Sequence, residues 1–333
     1  MTVDRGAFAA VVRSLGEAKD KEGESLRMKS IVVSSGDDLF EHRFLAGDEL
    51  TDLRSVSKVA LALTVGVAID RGLELAGQPI SLDLEVVNLL NRTRLSSIPG
   101  VDKWEGVQLR HLLNNTIGHE VGFLFRKDIG DRDYARLPEY VFEAPLEHSP
   151  GTHFSYSNVG PFMVSVLVQE TLGVRFSELA RELLFDPLGI ARFEWKQYGD
   201  YDAGCSGLQI GATDLHKLAD LLRNHGNLRG SQVVSATWCE SMRAPVTQTP
   251  GMYDSSRVFP KYAYGYGLWV CEDGRYYCDG TDGQYLIVVP DKDMAITTLG
   301  AQPDMKPITR AMTPLLESAR EGGWRRLFGG RSR

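Results

Sequence analysis

β character is confined to the two ends of this chain, and that segregation limits the folds open to it. Residues 31–34 and 39–44 read as strands, with Gly36-Asp37-Asp38 as the hairpin turn between them. Four further candidate strands, 266–270, 275–279, 285–289 and 295–299, lie far downstream. They are broken by Glu272-Asp273-Gly274, by Gly280 to Gly283, and by Pro290-Asp291-Lys292-Asp293. Consecutive strands joined by turns, without intervening helices, pair antiparallel. Between the two β regions, residues from about 73 to 201 read as helical and loop-rich. Short amphipathic helices are expected at 109–114, 162–171 and 176–185, with Gly173 separating the last two and Pro187 ending the third. An N-terminal helix is expected over 4–19 on the spacing of Phe8, Val11, Val12 and Leu15, and a final one over about 305–319. The expectation is an α+β fold: one antiparallel sheet built from both ends, flanked by the terminal helices, with a mostly helical lobe inserted. This gives a discontinuous sheet lobe (1–72 and 202–320), a helical lobe (73–201) and a basic tail (321–333), with a site expected in the cleft between the lobes.

A length of 333 residues suits one large domain or two closely packed ones. Lys+Arg number 37 against 44 Asp+Glu, and an acidic balance argues against nucleic acid as a partner, because phosphate neutralisation needs a basic face. The longest uncharged apolar run, 59–69, has the length of a core helix and falls short of the roughly 18 residues of a membrane span. The first residues carry an early acid and no apolar h-region, so no secretory signal is expected. Cys205, Cys239, Cys271 and Cys278 show no CxxC spacing. They read as free thiols in a reducing compartment, and the expected location is cytoplasmic. No His/Asp/Glu group has metal-ligand spacing in the sequence, so no metal site is expected.

Three segments carry candidate chemistry. In Ser55-Val56-Ser57-Lys58, residues three apart at a helix start share a face, so Ser55 and Lys58 can touch. A serine hydroxyl needs a base to become a nucleophile, and a lysine that loses its charge through burial supplies one. The plain alternative is a helix-capping serine beside a solvated lysine. The loop 150–160 contains Tyr156-Ser157-Asn158. A tyrosine beside an ammonium can have a lowered pKa and relay protons, and Asn158 can orient an acyl group. A packed loop tyrosine is the alternative. The third segment runs from Cys278 through Asp279, Gly280 and Thr281 to Gln284, between two strands. There the Thr281 N–H, with that of Ser55, can bind an oxyanion; a bare hairpin turn is the alternative.

In that order these motifs resemble the penicillin-recognising serine enzymes, in the branch that places Tyr-x-Asn second. That branch holds the class C β-lactamases and their esterase, D-stereospecific peptidase and 6-aminohexanoate-oligomer hydrolase relatives. The resemblance spans about 32–299 and includes Leu109 to Gly118, Ser149-Pro150-Gly151, Phe185 to Ile190 and Gly207 to Leu215. Gly283-Gln284 followed by Val288-Val289-Pro290 is most similar to the hexanoate-hydrolase and esterase branch. The resemblance implies Ser55 as nucleophile, Lys58 as its base, Tyr156 as a second acid/base and Asn158 as the substrate-orienting amide. It implies an acyl-enzyme route on a small ester or amide, with no metal or organic cofactor. D-aminopeptidase, amide-oligomer hydrolase and acyltransferase activities remain open on the same site. β-Lactamases carry Lys-Thr-Gly where this chain has Cys278-Asp279-Gly280. With Asp279 and Asp282 there, an anionic β-lactam should be repelled and a neutral or cationic acyl substrate preferred.

Other residues have plain readings. His119 reads as a loop histidine bonded to backbone, with lining the cleft as the alternative, and His148 and His153 flank the Tyr156 loop, where a site role is the lesser reading. Trp195, Tyr198, Tyr264, Tyr266 and Trp269 are core aromatics that can also line an acyl pocket. Cys278 reads as a small hydrophobe, and the tail 324–333 as a frayed terminus. A reading of another class is a non-enzymatic scaffold that keeps the fold and binds a ligand. The sequence leaves the oligomeric state open.

Overall fold

The computed structural model describes residues 5–47 and 49–317. The basic tail therefore lies outside the described residues. Helix α1 (Arg5–Glu17) leads into strands β1 (Met28–Ser35) and β2 (Asp38–Arg43). Helix α2 (Ser57–Asp70) follows, then the helical stretch containing α3 (Val159–Leu172), then α4 (Ala212–Arg223). Strands β3 (Thr247–Gln248), β4 (Ala263–Tyr264), β5 (Trp269–Val270), β6 (Tyr276–Gly280), β7 (Gln284–Val289) and β8 (Met294–Gly300) complete the sheet. Helices α5 (Lys306–Ala311) and α6 (Thr313–Glu317) end the described chain.

The main sheet has eight antiparallel strands in the order β3-β4-β5-β6-β7-β8-β1-β2. The two ends of the chain meet where β8 pairs with β1, Val33 opposite Ile296. Residues 73–201 contribute no strand to it. Every residue of β7 and β8 is buried, because both faces of the sheet are covered. On one face Phe8, Val11 and Leu15 of α1 pack with Met312 and Leu315 onto Ile31, Val33, Ile287 and Ile296. On the other lie α2, α3 and α4 with the rest of the core.

Helix α2 is apolar on every side and buried from Ser57 to Ala68, as a helix running through the middle of a protein must be. A side chain at Gly66 would meet the Trp238 ring at 2.1 Å, so glycine is what lets that ring close and donate Nε1–H to Ala62 O at 3.0 Å.

Several expected elements change form. The strand expected at 266–270 is short, because Gly265 N–H bonds Leu268 O at 2.9 Å and Gly267 sits at φ +78°, making a tight turn that pairs Ala263 with Val270. The tyrosines at 262, 264 and 266 keep a strand-like alternation through that turn and mask it. The last helix is two, with Pro307 and Pro314 each in a first turn. The helix expected at 176–185 is α-helical over Phe176–Ala180 and then widens into one π turn, Arg181–Phe185. Helix α4 had no counterpart among the expected elements, although Leu215, Leu218 and Leu222 give it a helical stripe. No helix among the described residues is long and apolar enough to cross a membrane.

Candidate active site

The chain reaches α2 through a 3-10 turn, Arg54–Val56. Arg54 holds a left-handed φ of +52°, a conformation costing roughly 1–2 kcal/mol for a residue with a Cβ. Its guanidinium is anchored on both sides: Nη1 bonds Asp52 Oδ2 at 2.6 Å, and Nε bonds Asp282 Oδ2 at 3.0 Å. Those ion pairs hold the bend that leaves the next residue, Ser55, half-exposed. Ser57 is committed to structure, donating to Arg54 O at 2.7 Å and accepting from Leu208 N at 3.1 Å. Of the two serines in the motif, only Ser55 keeps its hydroxyl at the surface of the site.

Lys58 is 1% exposed in the first turn of α2. Its Nζ bonds Asn158 Oδ1 at 2.8 Å and Cys205 O at 2.9 Å, and lies 3.2 Å from Ser55 Oγ. Desolvation holds its pKa below the ordinary 10.5, because burial penalises the charged amine; Cys205, Cys278 and Asp279 oppose this more weakly. Two of the three contacts are carbonyl oxygens, which only accept. A neutral amine spends both N–H groups on them and has its lone pair left for the Ser55 hydroxyl. That is the geometry of a general base.

Tyr156 and Asn158 come from the loop that enters α3. Gly122 lies against this loop so closely that a Cβ would sit 1.8 Å from Tyr156 O. Phe123 O accepts from Asn158 N at 3.1 Å, and Asn115 Oδ1 accepts from Ser157 N at 3.1 Å. The Tyr156 phenol lies close enough to Ser55 for that hydroxyl to pull its pKa down slightly, and its ring stacks on Trp269 with centroids 5.2 Å apart. Lys58 Nζ lies 5.2 Å from the same ring. The sequence suggested a lowered tyrosine pKa; the direction is the opposite. Burial dominates and pushes the phenol well above 10, with Cys278 and Asp279 adding to it, so Tyr156 holds its proton. The Asn158 amide is spanned within the protein, its Nδ2 bonding Leu124 O at 3.0 Å, so its first partner is the lysine.

Strand β6 closes the other side. A side chain at Gly280 would strike Leu53 O at 2.4 Å, so the strand end lies flat on the Ser55 turn. Cys278 donates its thiol to Ser55 O at 3.3 Å, and burial raises that thiol to about 12. Thr281 is exposed at the strand end. Neither its N–H nor that of Ser55 has a hydrogen-bond partner among the described residues.

The two acids expected to repel anions are each paired. Asp282 holds Arg54, and Asp279 lies 3.6 Å from Lys261 Nζ. Lys261 was not singled out in the sequence. It is buried over the Trp269 ring at 4.0 Å, and desolvation lowers its pKa against the opposing pull of Asp279. Nothing in its loop marks it beforehand, and the Cys205 carbonyl that holds Lys58 is backbone, which no side-chain pattern reveals. Tyr264 and Trp269 surround Tyr156, while Tyr266 stacks on Trp238, Trp195 packs on Phe176 and Tyr198 on Tyr134. His119 bonds Pro145 O at 2.9 Å. Two pockets, of about 530 Å³ beside Trp195 and about 900 Å³ beside α4, include none of these site residues.

A sequence model of the family described as Beta-lactamase matches residues 5–319. The 6-aminohexanoate-dimer hydrolase of Paenarthrobacter ureafaciens is 26% identical over 301 residues, covering 84% of this chain and 74% of that protein. Among solved structures, the octameric penicillin-binding protein homologue from Pyrococcus abyssi gives a TM-score of 0.68 at 19% identity, over 94% of this chain and 77% of that one. EstCE1, described as a hydrolase with promiscuous acyltransferase activity, gives 0.69 at 15% identity, over 92% of this chain and 98% of that one. At such identities the two structures speak for the fold alone.

Proposed function

The chain belongs to the Beta-lactamase family of serine hydrolases, and from that premise we propose that it cleaves a small ester or amide through an acyl-enzyme on Ser55. The observation that carries this reading is the buried Lys58 amine, 3.2 Å from Ser55 Oγ and held by two acceptor carbonyls. Lys58 takes the Ser55 proton as Oγ attacks the substrate carbonyl. The N–H groups of Ser55 and Thr281 receive the developing oxyanion. Tyr156, which keeps its proton, gives it to the leaving oxygen or nitrogen, and the Lys58 ammonium restores the phenol. Water then repeats the sequence on the acyl-enzyme, with Lys58 as base and Ser55 as leaving group.

The acyl group is neutral or cationic in this reading. The motif lacks the lysine and threonine that meet a β-lactam carboxylate, and Lys261 is already held by Asp279. Efficient cephalosporin turnover would overturn that preference. The 26% relative, a 6-aminohexanoate-dimer hydrolase, favours a linear amide. Transfer to an alcohol instead of water uses the same acyl-enzyme, as the description of EstCE1 illustrates for that protein. The cytoplasmic placement rests on four cysteines that are free and buried.

A fluorophosphonate probe and the burst phase with p-nitrophenyl acetate test the proposal. Labelling of the wild type but not of Ser55→Ala is the expected result. Equal labelling of the two leaves the scaffold reading in its place.

A further inference from the structure

The spacing of histidines and acids along the chain predicts no metal site, yet the fold brings three such groups to one point beside the catalytic loop. One ligand atom each from Glu120, His148 and His153 lie within 4.8 Å of one another. His148 Nε2 is 2.5 Å from Glu120 Oε2, His153 Nε2 is 3.2 Å from Glu120 O, and the two imidazoles stack with centroids 4.1 Å apart.

We propose that Glu120, His148 and His153 form a binding site for a borderline divalent transition ion such as Zn²⁺. Two imidazoles and one carboxylate suit Zn²⁺, Ni²⁺ or Cu²⁺, whereas Mg²⁺ and Ca²⁺ demand an oxygen shell. The segments carrying the ligands are already locked together by backbone bonds. His148 N donates to Gly118 O at 2.9 Å, and Gly151 N donates to Thr116 O at 2.8 Å. Gly118, at φ +124°, lies so near His148 O that a Cβ would meet it at 2.3 Å. The backbone is thus preorganised and only side-chain rotations remain. A tetrahedral ion with bonds of about 2.1 Å needs ligand atoms about 3.4 Å apart, within reach of these partly exposed groups. His148 and His153 would each ligate through a ring nitrogen that carries no proton. Glu120 Oε2 now accepts from His148, and this bond, the largest influence on it, holds the carboxyl below its ordinary value; the ion would replace the imidazole proton.

The site has a structural consequence. Its ligands sit on the two segments, 118–123 and 148–153, that run into the backbone contacts of Tyr156 and Asn158. A bound ion would tie them together. Three protein ligands leave a coordination position open to water.

Isothermal titration of the chelator-stripped full chain with ZnCl₂, with MgCl₂ as the control ion, tests this. One equivalent of Zn²⁺ should bind and raise the melting temperature, and Mg²⁺ should not. His148→Ala/His153→Ala should weaken Zn²⁺ binding at least tenfold and abolish the thermal shift. Its circular dichroism and its p-nitrophenyl acetate turnover should stay at wild-type levels, since neither histidine touches Ser55, Lys58 or Tyr156. Glu120→Gln should weaken binding while retaining both imidazoles. Absence of stoichiometric binding, or equal affinity in the wild type and the folded double variant, overturns the site. Neither result bears on the serine chemistry, which the Ser55→Ala labelling reads separately.

Discussion

Lys58 Nζ bonds Asn158 Oδ1 at 2.8 Å, linking residues 100 positions apart and presenting a neutral amide, not an acid, to a buried amine. Burial lowers the lysine pKa, and a neutral partner does not reverse it. A carboxylate in the same place would favour the ammonium.

Asn158→Asp should therefore raise the Lys58 pKa and deprive Ser55 of the base proposed for it. In the wild type, ester hydrolysis should rise with pH along a limb whose midpoint lies below 10.5, because burial lowers the Lys58 pKa and only the neutral amine acts. In the variant the limb should move to higher pH, and kcat at pH 7 should fall by about 10²-fold or more. The pH–rate profiles of the two proteins check this. A limb that stays in place removes Lys58 as the titrating base.

Asp279→Asn should leave Lys261 as a buried cation beside the acyl site. The ratio of kcat/KM for a succinate half-ester over that for a neutral ester should then rise by about tenfold, from one uncompensated charge at short range. An unchanged ratio means the Lys261–Asp279 pair does not face the acyl group.

Gly280→Ala should place a Cβ 2.4 Å from Leu53 O, so the strand end or the Ser55 turn must shift. Overpacking of this kind costs about 1–3 kcal/mol. Chemical denaturation should show that loss, and p-nitrophenyl acetate turnover should fall further than the loss of folded protein explains, because the proposed oxyanion donors, the Ser55 and Thr281 N–H groups, separate.

His216 should make the protein acid-sensitive. Burial lowers its pKa to about 4 against the opposing pull of Asp220 and with help from Arg223, while Nδ1 lies 3.0 Å from Thr297 Oγ1. The unfolded chain, with an ordinary value near 6.5, binds the proton first. Stability should therefore drop as pH falls from about 6.5 to about 4, by at most roughly 3 kcal/mol at this site. Urea midpoints at pH 7 and pH 4.5 should differ less in His216→Gln than in the wild type.

The sheet was readable because hairpin turns and apolar runs are local signals. Gly36 and the break at 290–293 mark the hairpins β1–β2 and β7–β8 wherever the rest of the chain goes. The pair Ser55 and Lys58 was readable for the same reason, since a helix places residues three apart on one face. Tyr156 and Asn158 were found through motif order, which records what a family retains and not where the atoms lie. Their contact with Ser55 and Lys58 depends on the Gly122 and Phe123 backbone, which no spacing rule contains.

What the chain determined by itself is the alternation of apolar and turn residues, and with it the α+β fold, because those preferences act between near neighbours. The tertiary structure alone decided the electrostatics of the site. Burial lowers the amine of Lys58 and raises the phenol of Tyr156, Lys261 meets Asp279, and Glu120 meets two histidines, because desolvation and charge pairing depend on distances through space and not along the chain.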